Sequence, residues 1–118
     1  MTQFVLKNYQ RAALDELGSF LRAARMQGAK AAFEERGYGY RSEPFGEVPC
    51  VCLRIPTGGG KTLLASHAVV RIAKEWTGSD APTVLWLTPS ETIRAQTLSA
   101  LQTPGHPYRA ALEDAYGQ

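Results

Sequence analysis

The stretch that decides the expected fold is CVCLRIPTGGGKT, residues 50–62. An almost entirely apolar run precedes a proline, a threonine and three glycines, and Lys61 and Thr62 follow directly. Glycines tolerate unusual φ angles, so their backbone N–H groups can converge on phosphate oxygens. A lysine and a hydroxyl at the start of a helix suit the outer phosphates of a nucleotide and Mg²⁺. The stretch therefore predicts a strand, a phosphate-binding loop and a helix.

The first position of the loop departs from the general pattern, G-x-x-x-x-G-K-[ST]. That pattern has a glycine at position 55, where this chain has Ile55. The alternative is a structural turn between a strand and a helix that carries Gly-Lys-Thr by chance. Because an apolar run, Gly-Lys-Thr and a helical pattern coincide, we favour the phosphate-binding loop.

The remaining elements follow from the spacing of apolar residues. Steps of three and four along residues 7–26 predict an amphipathic helix, which resumes over 29–36 and stops at Gly37. Residues 50–55 and 83–87 are short apolar runs, typical of strands that are covered on both faces of a sheet. Three more helices are predicted, and the first spans residues 61–76. The second is capped by Thr88, has Pro89 and Glu91 in its first turn and ends near Gln102. The third runs from Pro107 to Gly117.

The order after residue 49, strand, loop, helix, strand and helix, is the unit of a parallel α/β sheet. We therefore expect an α/β fold in which parallel strands and helices follow an N-terminal helical segment. The expected division is a helical segment at 1–36, a loop at 37–49 and the first part of a P-loop domain at 50–118.

The composition and net charge of the chain exclude few classes of function. The chain has 118 residues, enough for one domain, and a net charge of +2, too small to argue for a nucleic-acid partner by electrostatics. No apolar run approaches the roughly 20 residues of a membrane span, and the N-terminus does not resemble a signal peptide. Cys50 and Cys52 are expected to be buried thiols, and a cytoplasmic location is the default.

Three stretches resemble superfamily 2 helicases. Their first motif, a version of P-T-G-x-G-K-T, often lacks the first glycine and stands here as Pro56, Thr57, Gly58, Gly59, Gly60, Lys61 and Thr62. LKNYQRAALDEL, residues 6–17, resembles the L-R-x-Y-Q-x-x-A opening of restriction-type helicase subunits. VLWLTPSETIRAQ, residues 84–96, resembles motif Ia. The similarity covers most of residues 6–102 and is greatest to the Res subunit of type III restriction enzymes.

The resemblance implies a partial RecA-like P-loop domain with ATP and Mg²⁺ as cofactors. The seven residues of the first motif would bind the nucleotide, Lys61 and Thr62 would be catalytic, and Thr62 would hold Mg²⁺. Gln10 would contact the adenine edge and Tyr9 would lie near the base, while a solvated helix residue is the alternative for Gln10. Pro89, Ser90 and Gln96 would contact the nucleic-acid backbone, although Ser90 has helix capping as its alternative and Glu91 replaces a residue that is basic in many relatives.

The predicted function is the N-terminal ATP-binding portion of a DNA helicase or translocase. RNA is the alternative substrate, and a modification or specificity subunit is a further expected partner. The parent enzyme is expected to hydrolyse ATP and to carry a restriction endonuclease function. No suitable hydrolytic carboxylate pair is present, because Asp15-Glu16 and Glu113-Asp114 both lie in helical stretches. We therefore expect a truncated fragment that binds nucleotide without hydrolysing it. The alternatives are another P-loop enzyme, such as a small-molecule kinase, and a non-catalytic module that binds nucleic acid or a partner.

Overall fold

The computed structural model describes residues 6–37, 39–40, 46–55 and 60–117. Within these ranges the regular structure is helical, and the α-helices are α1 Asn8–Gln27, α2 Ala29–Glu34, α3 Lys61–Ile72, α4 Glu91–Gln102 and α5 Pro107–Tyr116. α3 continues directly into a π-helical turn, Ala73–Thr77. The helices predicted from apolar spacing are therefore confirmed, with ends that shift by about two residues.

The core forms where α1 packs against α2. The buried residues that share this cluster are Leu17, Phe20, Leu21, Ala24, Ala29 and Ala32. Gly28 separates the two helices with a φ of 92°, a conformation that favours glycine, and its N–H donates to Ala24 O at 2.8 Å. The chain can therefore reverse direction within one residue and place two small alanines of α2 against the apolar face of α1.

Gly18 allows α3 to approach α1 closely. A Cβ at Gly18 would lie 2.8 Å from Arg71 Nη1 and 3.0 Å from Arg71 Cδ. The Arg71 guanidinium lies across α1, where it donates to Leu14 O at 3.4 Å and pairs with Asp15 at 3.4 Å. A glycine inside an apolar helical pattern often marks such a close packing site.

Arg36 stabilises the end of α2 on α1. Its guanidinium donates to Glu16 at 2.7 Å, to Ala32 O at 2.7 Å and to Ser19 Oγ at 3.0 Å. It also lies 5.7 Å from the centre of the Phe20 ring. Arg36 begins RGYGYR, residues 36–41, which the sequence predicts to be an ordinary surface loop, with single-strand binding as the alternative. This arginine is engaged within the fold.

The expected α/β fold is wrong. Residues 50–55 and 83–87 were expected to be parallel strands of a RecA-like P-loop domain, yet the described part of the chain contains no strand. The physical reason is that a sheet strand needs a backbone partner on at least one edge, and neither segment has one among the described residues. The apolar faces of the helices pack on one another, with α3 against α1 and α5, so they do not cover a sheet.

Residues 51–55 pack on the helical core through one face only. Val51, Leu53 and Ile55 are partly buried, while Cys52 and Arg54 between them are exposed. This alternation is the pattern of an extended segment with one solvated face. It explains the position of Arg54 inside an apolar run. The prediction that Cys50 and Cys52 are buried thiols is wrong, because both are exposed.

Side chains cap the last two helices. Ser90 Oγ accepts from Ile93 N at 3.2 Å at the start of α4, so the predicted N-cap at Thr88 is wrong by two residues. His106 Nδ1 accepts from Tyr108 N at 3.2 Å and caps α5, which has Pro107 at its first position as predicted. Arg109 then joins the two helices, because it donates to Leu101 O at 3.1 Å.

Candidate nucleotide site

The predicted phosphate-binding loop ends at the first residue of α3. Gly60 is the N-cap residue, with φ 76° and ψ 43° in the left-handed region, and its carbonyl accepts from Leu64 N at 2.9 Å. Lys61 and Thr62 are the first two residues of the helix, the lysine exposed and the threonine partly buried. Pro56, Thr57, Gly58 and Gly59 lie outside the described residues. The part of the loop that carries the lysine and the hydroxyl is thus at a helix N-terminus, as predicted.

No side chain in the described part of the chain caps α3. In this respect α3 differs from α4 and α5, in which a first-turn N–H donates to the side chain of Ser90 or His106. The first turn of α3 also lacks an acidic residue. The backbone N–H groups at a helix start carry partial positive charge and need acceptors. An anion at the start of α3 would supply those acceptors without displacing a side chain.

Gln10 lies against the backbone of this site. It is only 4% exposed, and a Cβ at Gly60 would fall 2.6 Å from Gln10 Nε2. Its Oε1 accepts from Lys7 N at 2.9 Å, which fixes the amide at the start of α1. The alternative that Gln10 is a solvated helix residue is therefore wrong. Tyr9, its neighbour, is 40% exposed.

The contact between Gln10 and Gly60 joins two stretches that are 50 residues apart in sequence. The spacing of apolar residues along α1 did not indicate it, because Gln10 is polar and its burial depends on α3. Gly18 and Arg71 were also missed, although together they set the distance between α1 and α3. The signal that was available for this packing was the glycine within the helix.

The residues expected to contact nucleic acid lie around the start of α4. Pro89, Ser90 and Gln96 are all exposed, so each is accessible to a partner. Ser90 also caps the helix, so its capping role is confirmed. The structure packs α4 against α5, and α5 against α3.

Glu91 is paired within the first turn of α4. Arg94 Nε donates to Glu91 Oε2 at 2.8 Å, and this hydrogen bond lowers the pKa of the Glu91 carboxyl below its ordinary value. The carboxylate is therefore charged near neutral pH, and the adjacent guanidinium offsets its charge. Glu91, the residue that departs from motif Ia, thus lies beside Arg94, whose positive charge offsets its negative charge.

The four carboxylates considered for hydrolysis have structural neighbours. Asp15 pairs with Arg71, Glu16 pairs with Arg36, and Glu113 pairs with Arg109 one turn earlier on α5. Asp114 is exposed and acts electrostatically on His67 of α3, whose pKa is lowered by burial against the raising effect of that carboxylate. The prediction that these groups do not form the hydrolytic pair remains a prediction.

The described residues hold no group of three or more histidine, cysteine, aspartate or glutamate side chains placed to bind a metal ion. The role of Thr62 as a ligand of Mg²⁺ remains a prediction, in which the hydroxyl would act together with phosphate oxygens. Among the helices of these ranges, none has the length and apolar character to cross a membrane. The cytoplasmic location remains a prediction.

A comparison with protein families gives a match over nearly the whole chain. A family model described as type III restriction enzyme, res subunit, matches residues 3–117. The matched region is a superfamily 2 helicase N-terminal domain. No curated protein and no solved structure matches the chain. The matched range includes the three stretches that carry every predicted site residue, so the resemblance inferred from them is confirmed.

Proposed function

Since the chain belongs to the family of the res subunit of type III restriction enzymes, we propose that it binds the phosphates of ATP, with Mg²⁺, at the start of α3. The observation that carries the proposal is the N-terminus of α3, which no side chain of the described residues caps, behind a left-handed glycine, Gly60. Lys61 and Thr62 occupy its first turn, where a phosphate-binding helix needs a cation and a hydroxyl. Gln10, buried against Gly60, lies at the same site.

Each residue has a distinct role in this proposal. The N–H groups of the first turn of α3 donate to phosphate oxygens, and the helix dipole favours their negative charge. Lys61 supplies the positive charge for the outer phosphates, and the Thr62 hydroxyl holds Mg²⁺, which would neutralise charge on the bound triphosphate. Pro56, Thr57, Gly58 and Gly59 would complete the loop around the phosphates. Gln10 and Tyr9 would meet the base.

Nucleotide binding without hydrolysis is the activity proposed for this chain. Three of the four acidic residues considered for hydrolysis are held in ion pairs with arginines, and the fourth, Asp114, lies on α5. In an enzyme of this family, binding at α3 would serve ATP-driven movement along DNA, together with a modification subunit. The exposed residues Pro89, Ser90 and Gln96 would contact the nucleic-acid backbone through hydroxyl, amide and helix N–H groups.

The proposal is tested by ranking ligands in a thermal unfolding experiment. A ligand that binds only the folded chain stabilises it by about 2.7 kcal/mol at one hundred times its dissociation constant. With Mg²⁺ present, we expect ATP to raise the melting temperature most, ADP less and adenosine least, because the proposed contacts are mostly to phosphate. Mg²⁺ alone is the control. Equal shifts with ATP and adenosine, or no shift with either, would contradict the proposal.

The contact between Gln10 and Gly60 gives a second prediction, on base choice. If the Gln10 amide binds adenine through paired hydrogen bonds, Gln10→Ala should reduce the preference for ATP over GTP by about tenfold, since each bond contributes about 0.5–1.5 kcal/mol. The ratio of the two dissociation constants is the quantity to measure, because any loss of folded structure affects both equally. If both affinities fall and their ratio stays constant, Gln10 only supports the Gly60 backbone.

A further inference from the structure

Cys50 and Cys52 lie on the solvated face of the segment that leads to the predicted phosphate-binding loop. Exposure alternates without a break along residues 49–55, where the even-numbered residues are exposed and the odd-numbered ones are partly buried. Val51 and Leu53, on the opposite face, pack against the core of α1 and α2. This packing holds the segment in place and leaves both thiols in water on the same side of it.

The spacing of the two cysteines suits a bridging metal ion better than a disulfide. The backbone is held at the first of them, where Cys50 N donates to Tyr40 Oη at 2.9 Å. An extended chain rises about 3.3 Å per residue, so Cβ atoms two residues apart on one face are about 6.5 Å apart. A disulfide needs Cβ atoms about 3.5–4.5 Å apart. Two metal–sulfur bonds of about 2.3 Å each instead allow the sulfur atoms to be about 4.6 Å apart, which two cysteine side chains that lean toward each other can reach.

The two sulfur ligands select a soft cation of low coordination number. Thiolates favour copper(I) and zinc(II) among the common metal ions. Structural zinc takes four ligands, of which these two cysteines would supply half. Copper(I) is satisfied by two thiolates in a linear arrangement, and two cysteines are all that the chain has. The resulting complex carries one negative charge, and Arg54, the next exposed residue on the same face, brings a positive charge to that side of the segment.

We propose that Cys50 and Cys52 form a two-thiolate site that binds one copper(I) ion. Two metal–sulfur bonds form, the two thiol protons pass to solvent, and no electron is transferred. The site is independent of nucleotide binding at α3. Because both thiols are already exposed, the ion binds the folded chain without displacing α1 or α2.

Anaerobic titration of the reduced chain with copper(I), in competition with a chromophoric copper(I) chelator, tests the proposal. We expect one tightly bound ion per chain, seen as a single chain with one copper in native mass spectrometry. Cys50→Ser and Cys52→Ser should each weaken binding by about 100-fold or more, because a single thiolate loses the chelate. Zinc(II) should bind more weakly than copper(I). The helical circular dichroism should be unchanged in both variants and on loading with copper(I).

Met26→Leu is the matched control, since Met26 carries an exposed thioether, another soft sulfur ligand, and lies on α1. This variant should bind copper(I) as the unchanged chain does. The proposal is overturned if either serine variant keeps the full affinity, or if Met26→Leu weakens binding to the same extent. Two chains around one ion, zinc(II) binding as tight as that of copper(I), or loss of the helical signal on loading would overturn it as well.

Discussion

Lys61→Ala is expected to weaken the binding of Mg²⁺-ATP by about 10- to 100-fold, the range that corresponds to a hydrogen bond with a charged group. Lys61 is the cation in the first turn of α3, next to N–H groups that no side chain of the described residues caps. Removing Lys61 should reduce the affinity most for ATP, less for ADP and least for adenosine, because in the proposed site the lysine faces the outer phosphates. Fluorescence titration with a labelled nucleotide, followed by competition with the three ligands, gives the affinities.

The fold should not change in this variant, because Lys61 is exposed and alanine favours helices. Lys74→Ala is the matched control, since Lys74 is an exposed lysine of the π-helical turn that continues α3. It should bind all three ligands as the unchanged chain does. Unchanged affinity for ATP in Lys61→Ala, or an equal loss in both variants, would assign the binding to another place.

Phe20→Ala is expected to lower the free energy of unfolding by about 3–5 kcal/mol, the range for deleting a buried aromatic ring. Phe20 is 3% exposed, and its ring meets Phe33 edge to face with centroids 5.8 Å apart. The ring also supports the Arg36 guanidinium. Urea unfolding followed by circular dichroism at the helical minimum measures the change. For a domain of ordinary stability, about 5–15 kcal/mol, this loss would leave much of the chain close to unfolding.

Met26→Ala on the same helix provides the comparison for Phe20→Ala. Met26 is highly exposed, so its truncation should change stability by less than about 0.5 kcal/mol. A Phe20 variant whose urea midpoint matches that of Met26→Ala would mean that α1 and α2 do not form the core described above.

The helices could be predicted because their signals are local. α1 shows apolar residues at steps of three and four, and α5 has a proline at its first position and a glycine after its last. Strand formation is different, because it depends on a partner elsewhere in the chain. Residues 50–55 and 83–87 have the composition of buried strands, but neither has a partner in the described structure. The first segment packs a single face on the core, and the second leaves Leu85 and Leu87 exposed to solvent.

The candidate site could be predicted in part. Gly60, Lys61 and Thr62 stand at the start of a helix as their pattern indicated, because a glycine followed by helix-forming residues is again a local signal. The burial of Gln10 could not be predicted from the residues of α1. It depends on the close approach of α3, which Gly18 allows by leaving space for Arg71. Contacts of this kind join distant parts of the sequence, and one sequence carries no record of them.

The most direct test of phosphate binding at α3 is a titration of the ¹⁵N-labelled chain with ATP and Mg²⁺, followed by the backbone amide signals in NMR spectra. We expect the largest shifts at Gly60, Lys61 and Thr62, with little change at the capped starts of α4 and α5. Those two helices serve as internal controls, because Ser90 and His106 already accept hydrogen bonds from their first turns. Shifts centred on α4 or α5, or no shifts at saturating ATP, would contradict the assignment of the site to α3.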